Sequence, residues 1–279
     1  MLVLEDARGL ELAPTLDCGQ AFRWREGPGG WQGVVEGRAV TVRRAGAGLV
    51  IEGAGEMDRA FWEQYLALDL DSPALIARFG RGSRRLAACC AASPGIRVLR
   101  QPFFEVLCAF IISQNNNIGR IKGIVERLCQ GLGEPLGGGL YAFPTPAALA
   151  RCTPEGLAFL RAGWRAGYLV DAAQKVAGGQ VSEAALRALP TAGARALLMT
   201  IRGVGPKVAD CVLLYGLSRW EAVPMDVWMK KAMNELFPNG LPACCRGREG
   251  IAQQFIFDYA RRNLPRGTQK VQAKGTGGH

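Results

Sequence analysis

The sequence has no internal histidine: its one histidine is the final residue, His279. That absence removes the usual general base of serine and cysteine hydrolases, so any catalysis must rest on lysine, carboxylates or backbone dipoles. No CxxC pair occurs among the nine cysteines, and without histidine neither a zinc nor an iron–sulfur site is expected. The cysteine count is odd, two pairs are adjacent (Cys89 with Cys90, Cys244 with Cys245), and Cys108, Cys129 and Cys211 fall inside helical apolar patterns. They read as reduced core thiols. Apolar runs of the roughly 18 residues needed to span a bilayer are also missing, and the opening stretch MLVLEDARGL lacks a basic region followed by a long apolar segment. A cytoplasmic protein with no membrane partner is expected, nucleoid-associated if bacterial.

Acidic residues are scarce as well. There are 24 against 34 lysines and arginines, giving a formal charge of +10 and a pI near 9.4. That balance fits a polyanionic partner, although scattered surface lysines produce it too. What is abundant is apolar content: 49% of 279 residues is enough for one large core or two modest ones.

Residues 20–52, QAFRWREGPGGWQGVVEGRAVTVRRAGAGLVIE, are short β-rich runs divided by glycine turns, the pattern of an antiparallel meander. From Asp58 the texture becomes helical, with Phe61, Trp62, Tyr65 and Leu66 on one face. Helix starts are marked at Asp71, Thr145 and Thr153, each a capping side chain near a proline suited to the first turn. Gly131–Gly139 reads as a connection, and Arg261–His279 as a basic, glycine-bearing tail.

The most informative stretch is IRGVGPKVADCVLLYG, Ile201–Gly216. The helical spacing of ALPTAGARALLMTI breaks at RGVG, and Pro206 opens a second helix: a helix–hairpin–helix. Gly203 and Gly205, flanking Val204, can take positive φ and expose backbone N–H groups beside a helix N-terminus, where an anion such as a nucleic-acid phosphate is attracted. A plain turn between two helices explains a lone GxG as well. Lys207 lies in the first turn of that helix, where the dipole and partial desolvation both disfavour an ammonium, making a neutral amine available as nucleophile. Nineteen residues on, VPMDVWM places Asp226 at another helix start, held in direction as a cap.

GVGPKVADCV followed by VPMDVWM resembles the helix–hairpin–helix, Gly/Pro…Asp superfamily of DNA glycosylases, whose lysine-bearing members are bifunctional glycosylase/lyases. DCGQAFRW, FIISQNNNIGRIKGIVERLCQGLG, AGWRAGYL and IAQQFIF narrow the resemblance to the 8-oxoguanine branch, over nearly the whole chain and in order. The resemblance implies that Lys207 attacks the sugar to form a Schiff base, and that Asp226 stabilises the positive charge of the breaking glycosidic bond. It implies that the flipped base is read by Gln253, stacked on Phe257, covered by Cys211, and met at N7–H by the backbone carbonyl of Gly19. It further implies that Asn115 fills the vacated duplex position, that Arg120 and Arg165 grip the orphaned cytosine, and that Trp164 takes the place of a tyrosine wedge. Trp228 stands where relatives often carry a histidine that contacts phosphate.

The expected architecture is α+β: an N-terminal antiparallel β-sheet domain with flanking helices over residues 1–100, a helical domain over 101–265 containing the helix–hairpin–helix, and a basic tail over 266–279. The expected activity is excision of 8-oxoguanine, preferentially opposite cytosine, from double-stranded DNA by a monomer that needs no cofactor. A non-catalytic helix–hairpin–helix module and a monofunctional glycosylase for alkylated purines are the alternatives, and both leave Lys207 unmotivated.

Overall fold

The computed structural model describes residues 1–265; the expected tail over 266–279 lies outside them. Strands β1 (Leu2–Leu4), β2 (Arg25–Gly27), β3 (Gly30–Val35), β4 (Arg38–Ala45) and β5 (Gly48–Glu52) form one antiparallel sheet in the order β1-β5-β4-β3-β2. The meander read from residues 20–52 is its body. The first strand was not legible, because LVL is too short to show alternation; it pairs with β5 in the register Leu2↔Ile51. Alternation buries Trp31, Val40, Val42 and Ile51 on the inner face, against Trp24, Trp62, Leu66 and Leu99.

The helices follow as α1 (Leu12–Leu16), α2 (Arg59–Tyr65), α3 (Ser72–Gly82), α4 (Arg84–Ala92), α5 (Phe103–Ser113), α6 (Ile118–Leu132), α7 (Pro146–Ala150), α8 (Arg165–Ala177), α9 (Glu183–Ala188), α10 (Thr191–Leu198), α11 (Pro206–Cys211), α12 (Val227–Leu236) and α13 (Glu249–Asn263). Asp71 and Thr145 cap as expected, accepting from Ala74 N at 3.0 Å and Ala148 N at 3.1 Å. Thr153 does accept from Gly156 N at 3.1 Å, but only turns and a 3-10 helix at Ala158–Leu160 follow. The run is too short before the left-handed residue Arg161 and the glycine of AGW to propagate an α-helix.

Two further readings change. Gly131–Gly139 is not wholly a connection: α6 continues through Leu132, and a small hairpin, β6 (Pro135–Gly137) with β7 (Leu140–Tyr141), follows. The tail does not begin at Arg261, because α13 runs to Asn263. Its apolar face, which buries Ile251, Ala252, Phe255, Ile256 and Ala260, carries the helix past the first basic residues.

The larger core is centred on α5, eight of whose eleven residues are buried. At about 1.5–3 kcal/mol for each large apolar side chain taken from water, this helix is the packing hub. Around it gather α6, α8, α11 and α13, together with Phe79 of α3 and Leu86, Cys89 and Cys90 of α4, so the N-terminal third contributes two helices to the C-terminal core. All nine cysteines are free thiols, seven of them buried. No helix among the described residues is long and apolar enough to cross a membrane.

Candidate active site

The helix–hairpin–helix forms where the sequence placed it. Gly203 takes a φ of +79°, and a Cβ there would lie 2.0 Å from the Tyr168 ring, so both the left-handed conformation and the ring's approach demand glycine. Gly205 differs from expectation: it is the N-cap of α11 in an extended conformation (φ −96°, ψ −177°) with open space beside it. One left-handed residue is enough to reverse the chain, and Pro206 then needs an extended N-cap before it. Val204 between them is buried.

Pro206 and the start of α11 aim Lys207 into a cavity of about 580 Å³. Its walls come from α5, α6, α11, α12, α13 and the segment after α1, and they include Gly19, Cys211, Asp226, Trp228, Gln253 and Phe257. Lys207 is half-buried; its Nζ donates to Ser113 Oγ at 3.2 Å and sits 5.0 Å from the Phe110 ring centroid. Ser113 in turn donates to Phe110 O at 2.8 Å, so its hydroxyl hydrogen is committed and a lone pair faces the lysine. Ser113 and Phe110 escaped the sequence reading as site residues, although both lie within or beside the stretch FIISQNNN. A helical position three residues from another is marked only as a neighbour, and which element faces it is a tertiary fact.

Asp226 is the N-cap of α12, accepting from Met229 N at 2.8 Å. Burial outweighs this bond and the nearby positive charge of Lys207, and raises its pKa above the ordinary carboxylate value of 3.8. Cys211, one turn past Lys207, is fully buried, and burial pushes its thiol up to about 12, so it presents a neutral, polarisable surface. After it the chain widens into a π-type turn, Val212–Gly216, which carries Tyr215 against Phe110 (stacked, 5.4 Å between centroids). Tyr215 OH donates to Gln254 Oε1 at 2.8 Å, and Gln254 Nε2 donates to Cys18 Sγ at 3.1 Å, tying α11, α13 and the Gly19 segment together.

Gln253 and Phe257 share the cavity-facing side of α13, as their spacing of four requires. Gln253 is 2% exposed, yet its Oε1 has no hydrogen-bond partner among the described residues. A buried amide oxygen left this way costs about 1–3 kcal/mol unless something enters to pair with it. On the same cavity, Gly19 takes a φ of +97°, with Ile118 Cδ1 only 3.2 Å from where a Cβ would be. The buried side chain of Gln20 holds that turn, donating to Thr15 O at 2.8 Å and Arg97 O at 2.7 Å and accepting from Leu99 N at 2.9 Å.

The remaining candidates stand outside the cavity. Asn115, exposed and left-handed (φ +51°), separates α5 from α6, and Asn117 caps α6 by accepting from Arg120 N at 2.9 Å. This is the helix break anticipated for the asparagine run. Arg120 is exposed and donates to Arg161 O at 3.4 Å. Arg165 is buried and donates to Gln114 O at 2.9 Å and Ala162 O at 3.1 Å; burial, then the neighbouring Arg120, holds it below the ordinary arginine value. Trp164 is 50% exposed, with the Arg165 guanidinium 4.2 Å from its ring centroid and its other edge against Tyr168 at 5.1 Å. Tyr168, which also seats on Gly203, links this group to the hairpin and was not singled out in the sequence.

A helix–hairpin–helix followed by a capping aspartate, both opening on one deep cavity, defines the class as a base-excision glycosylase scaffold. Residues 108–240 match the family model described as HhH-GPD superfamily base excision DNA repair protein. Residues 2–107 match the model described as 8-oxoguanine DNA glycosylase, N-terminal domain. The chain is 31% identical over 268 residues to the N-glycosylase/DNA lyase OGG1 of Arabidopsis thaliana, covering 90% of this chain and 73% of that protein. Among solved structures, the 8-oxoguanine glycosylase/lyase of Clostridium acetobutylicum, in complex with duplex DNA containing cytosine opposite 8-oxoguanine, superposes with a TM-score of 0.85 at 32% identity, covering 94% of this chain and 95% of that one. MBOgg1 in complex with a low-affinity DNA ligand superposes with a TM-score of 0.87 at 36% identity, covering 94% and 98%. The chain belongs to the 8-oxoguanine DNA glycosylase family of the HhH-GPD superfamily.

Proposed function

We propose that this protein excises 8-oxoguanine from double-stranded DNA, preferentially opposite cytosine, and then cleaves the strand at the resulting site. The observation that carries the reading is the convergence of an amine, Lys207, and a carboxylate, Asp226, on one cavity that also bears an unpaired amide oxygen at Gln253 and a ring at Phe257. A base has to leave the stack to reach such a site. In the slot it offers an edge to Gln253, a face to Phe257 and the other face to Cys211, while N7–H, present only in the oxidised base, donates to the Gly19 carbonyl. Normal guanine brings a lone pair to that carbonyl instead and is repelled.

The chemistry follows from the pair. The unprotonated Lys207 amine attacks C1′ and the glycosidic bond breaks, its electrons leaving with the base. Positive charge grows on the sugar as this happens, and the fixed Asp226 carboxylate stabilises it. Ring opening, with the proton passing to O4′, leaves an imine between lysine and C1′. Loss of a C2′ proton then expels the 3′-phosphate, and water releases the enzyme. Outside the cavity, the exposed Asn115 and Trp164 would fill the vacated duplex position, and Arg120 with Arg165 would donate to the orphaned cytosine.

The test is borohydride trapping on duplexes carrying 8-oxoguanine opposite each normal base. The expected result is a covalent protein–DNA band, strongest opposite cytosine and absent in Lys207→Gln, with lesion binding retained. Base release without trapping identifies a monofunctional glycosylase, and binding without either identifies a non-catalytic module.

A further inference from the structure

Arg261 is the fourth-residue neighbour of Phe257, itself the fourth-residue neighbour of Gln253, so all three lie on one face of α13, and all three line the cavity. Its Nη1 donates to Cys18 O at 2.6 Å. Its guanidinium carbon stands 5.5 Å from the Phe257 ring centroid, and Nη1 is 3.9 Å from where a Cβ on Gly19 would be. The adjacent Arg262 behaves as a surface arginine should, pairing with Asp258 at 3.1 Å. Arg261 has no carboxylate within ion-pair distance among the described residues; its contacts are a carbonyl and a ring inside the cavity.

The carbonyl matters. Cys18 C=O and Gly19 N–H belong to one peptide plane, so a charged donor on Cys18 O fixes that plane. Anchoring that plane restrains one side of Gly19, the residue with the widest conformational range, so fewer rotations are open by which it could leave its left-handed φ and re-aim its own carbonyl. Gln20 secures the other side of the turn, and Arg261 secures the side that faces the cavity. Through the same guanidinium the turn is registered against Phe257.

Building on the functional reading above, we propose that Arg261 is a positioning residue for lesion recognition. It locks the Gly19 turn and the Phe257 ring into a single slot of fixed width, so that discrimination between oxidised and normal guanine depends on it. It touches no reacting atom; its effect passes through Gly19 and Phe257.

The experiment compares wild type, Arg261→Ala and Arg261→Lys in two single-turnover assays: excision of 8-oxoguanine opposite cytosine, and strand cleavage at a preformed abasic site, which places no base in the slot. Thermal unfolding accompanies both. Losing one charge-assisted bond should slow excision about tenfold or more in Arg261→Ala, whereas cleavage at the abasic site stays within about twofold. Arg261→Lys, which keeps a donor for Cys18 O, should recover most of the excision rate. The preference of Arg261→Ala for an 8-oxoguanine duplex over a guanine duplex, read as the ratio of dissociation constants, should fall in step with excision. Unchanged excision, equal losses in both assays, or a lysine variant no better than alanine overturns the inference. A wild type inactive on both substrates overturns the functional reading and the inference with it; a wild type active on both, matched by Arg261→Ala, overturns the inference alone.

Discussion

Replacing Asp226 by asparagine separates the two things its side chain does. As a cap it accepts from Met229 N at 2.8 Å, and asparagine caps about as well as aspartate, so that part of the loss is below about 0.5 kcal/mol. As a charge it sits where burial outweighs the cap and the cations near it, so the fold holds its proton more tightly than the unfolded chain does. The sign follows: below the ordinary value of 3.8 the group is neutral in both states and costs nothing, and as pH rises through the raised folded value the charge makes folding less favourable. The neutral variant should therefore be slightly more stable than wild type at pH 7, by on the order of 0.5 kcal/mol for a partly screened charge, with the difference vanishing only as pH falls below 3.8. Catalysis should move the other way. Removing a preorganised group opposite developing charge costs about 3–4 kcal/mol, or about 10²–10³ in rate. Urea unfolding at both pH values and single-turnover excision supply the numbers, and wild-type excision should itself decline as pH falls toward that raised value. An asparagine variant clearly less stable at pH 7, or one excising within tenfold of wild type, would refute the claim that a strained carboxylate is retained for charge stabilisation.

Other expectations can be checked directly. Arg120→Ala, which removes an exposed donor and leaves the internally bonded Arg165 in place, should relax the preference for cytosine opposite the lesion by about 1–3 kcal/mol, measured as the ratio of kcat/KM values across the four opposite bases. Gly203→Ala should cost at least about 2 kcal/mol in urea unfolding, because it forces a left-handed alanine into the Tyr168 ring. Gly205→Ala, in extended backbone with open space, should cost no more than about 1 kcal/mol.

The chain itself determined the β meander, the helix starts at Asp71, Thr145, Pro206 and Asp226, the hairpin, and the two groups, Lys207 and Asp226, that line one cavity. Each of those depends on neighbours within a turn or two: alternation in GWQGVV, a proline behind a capping residue at Asp71 and Thr145, a glycine before Pro206, an aspartate opening a helix. Local rules also misled where a single local feature was asked to stand for an element, as at Thr153, and where basic residues at the end of α13 read as the start of a tail.

Only the tertiary structure decided which atoms meet. Nothing local to Lys207 says that Ser113, 94 residues earlier, offers it a lone pair, or that Phe110 lies beneath it. The unpaired oxygen of Gln253 and the reach of Arg261 to Cys18 depend on α13 packing beside a turn more than 230 residues away in the chain. Backbone preference is set by adjacent atoms and is written in short words of sequence. The direction of a side chain into a shared cavity is set by how several helices pack at once.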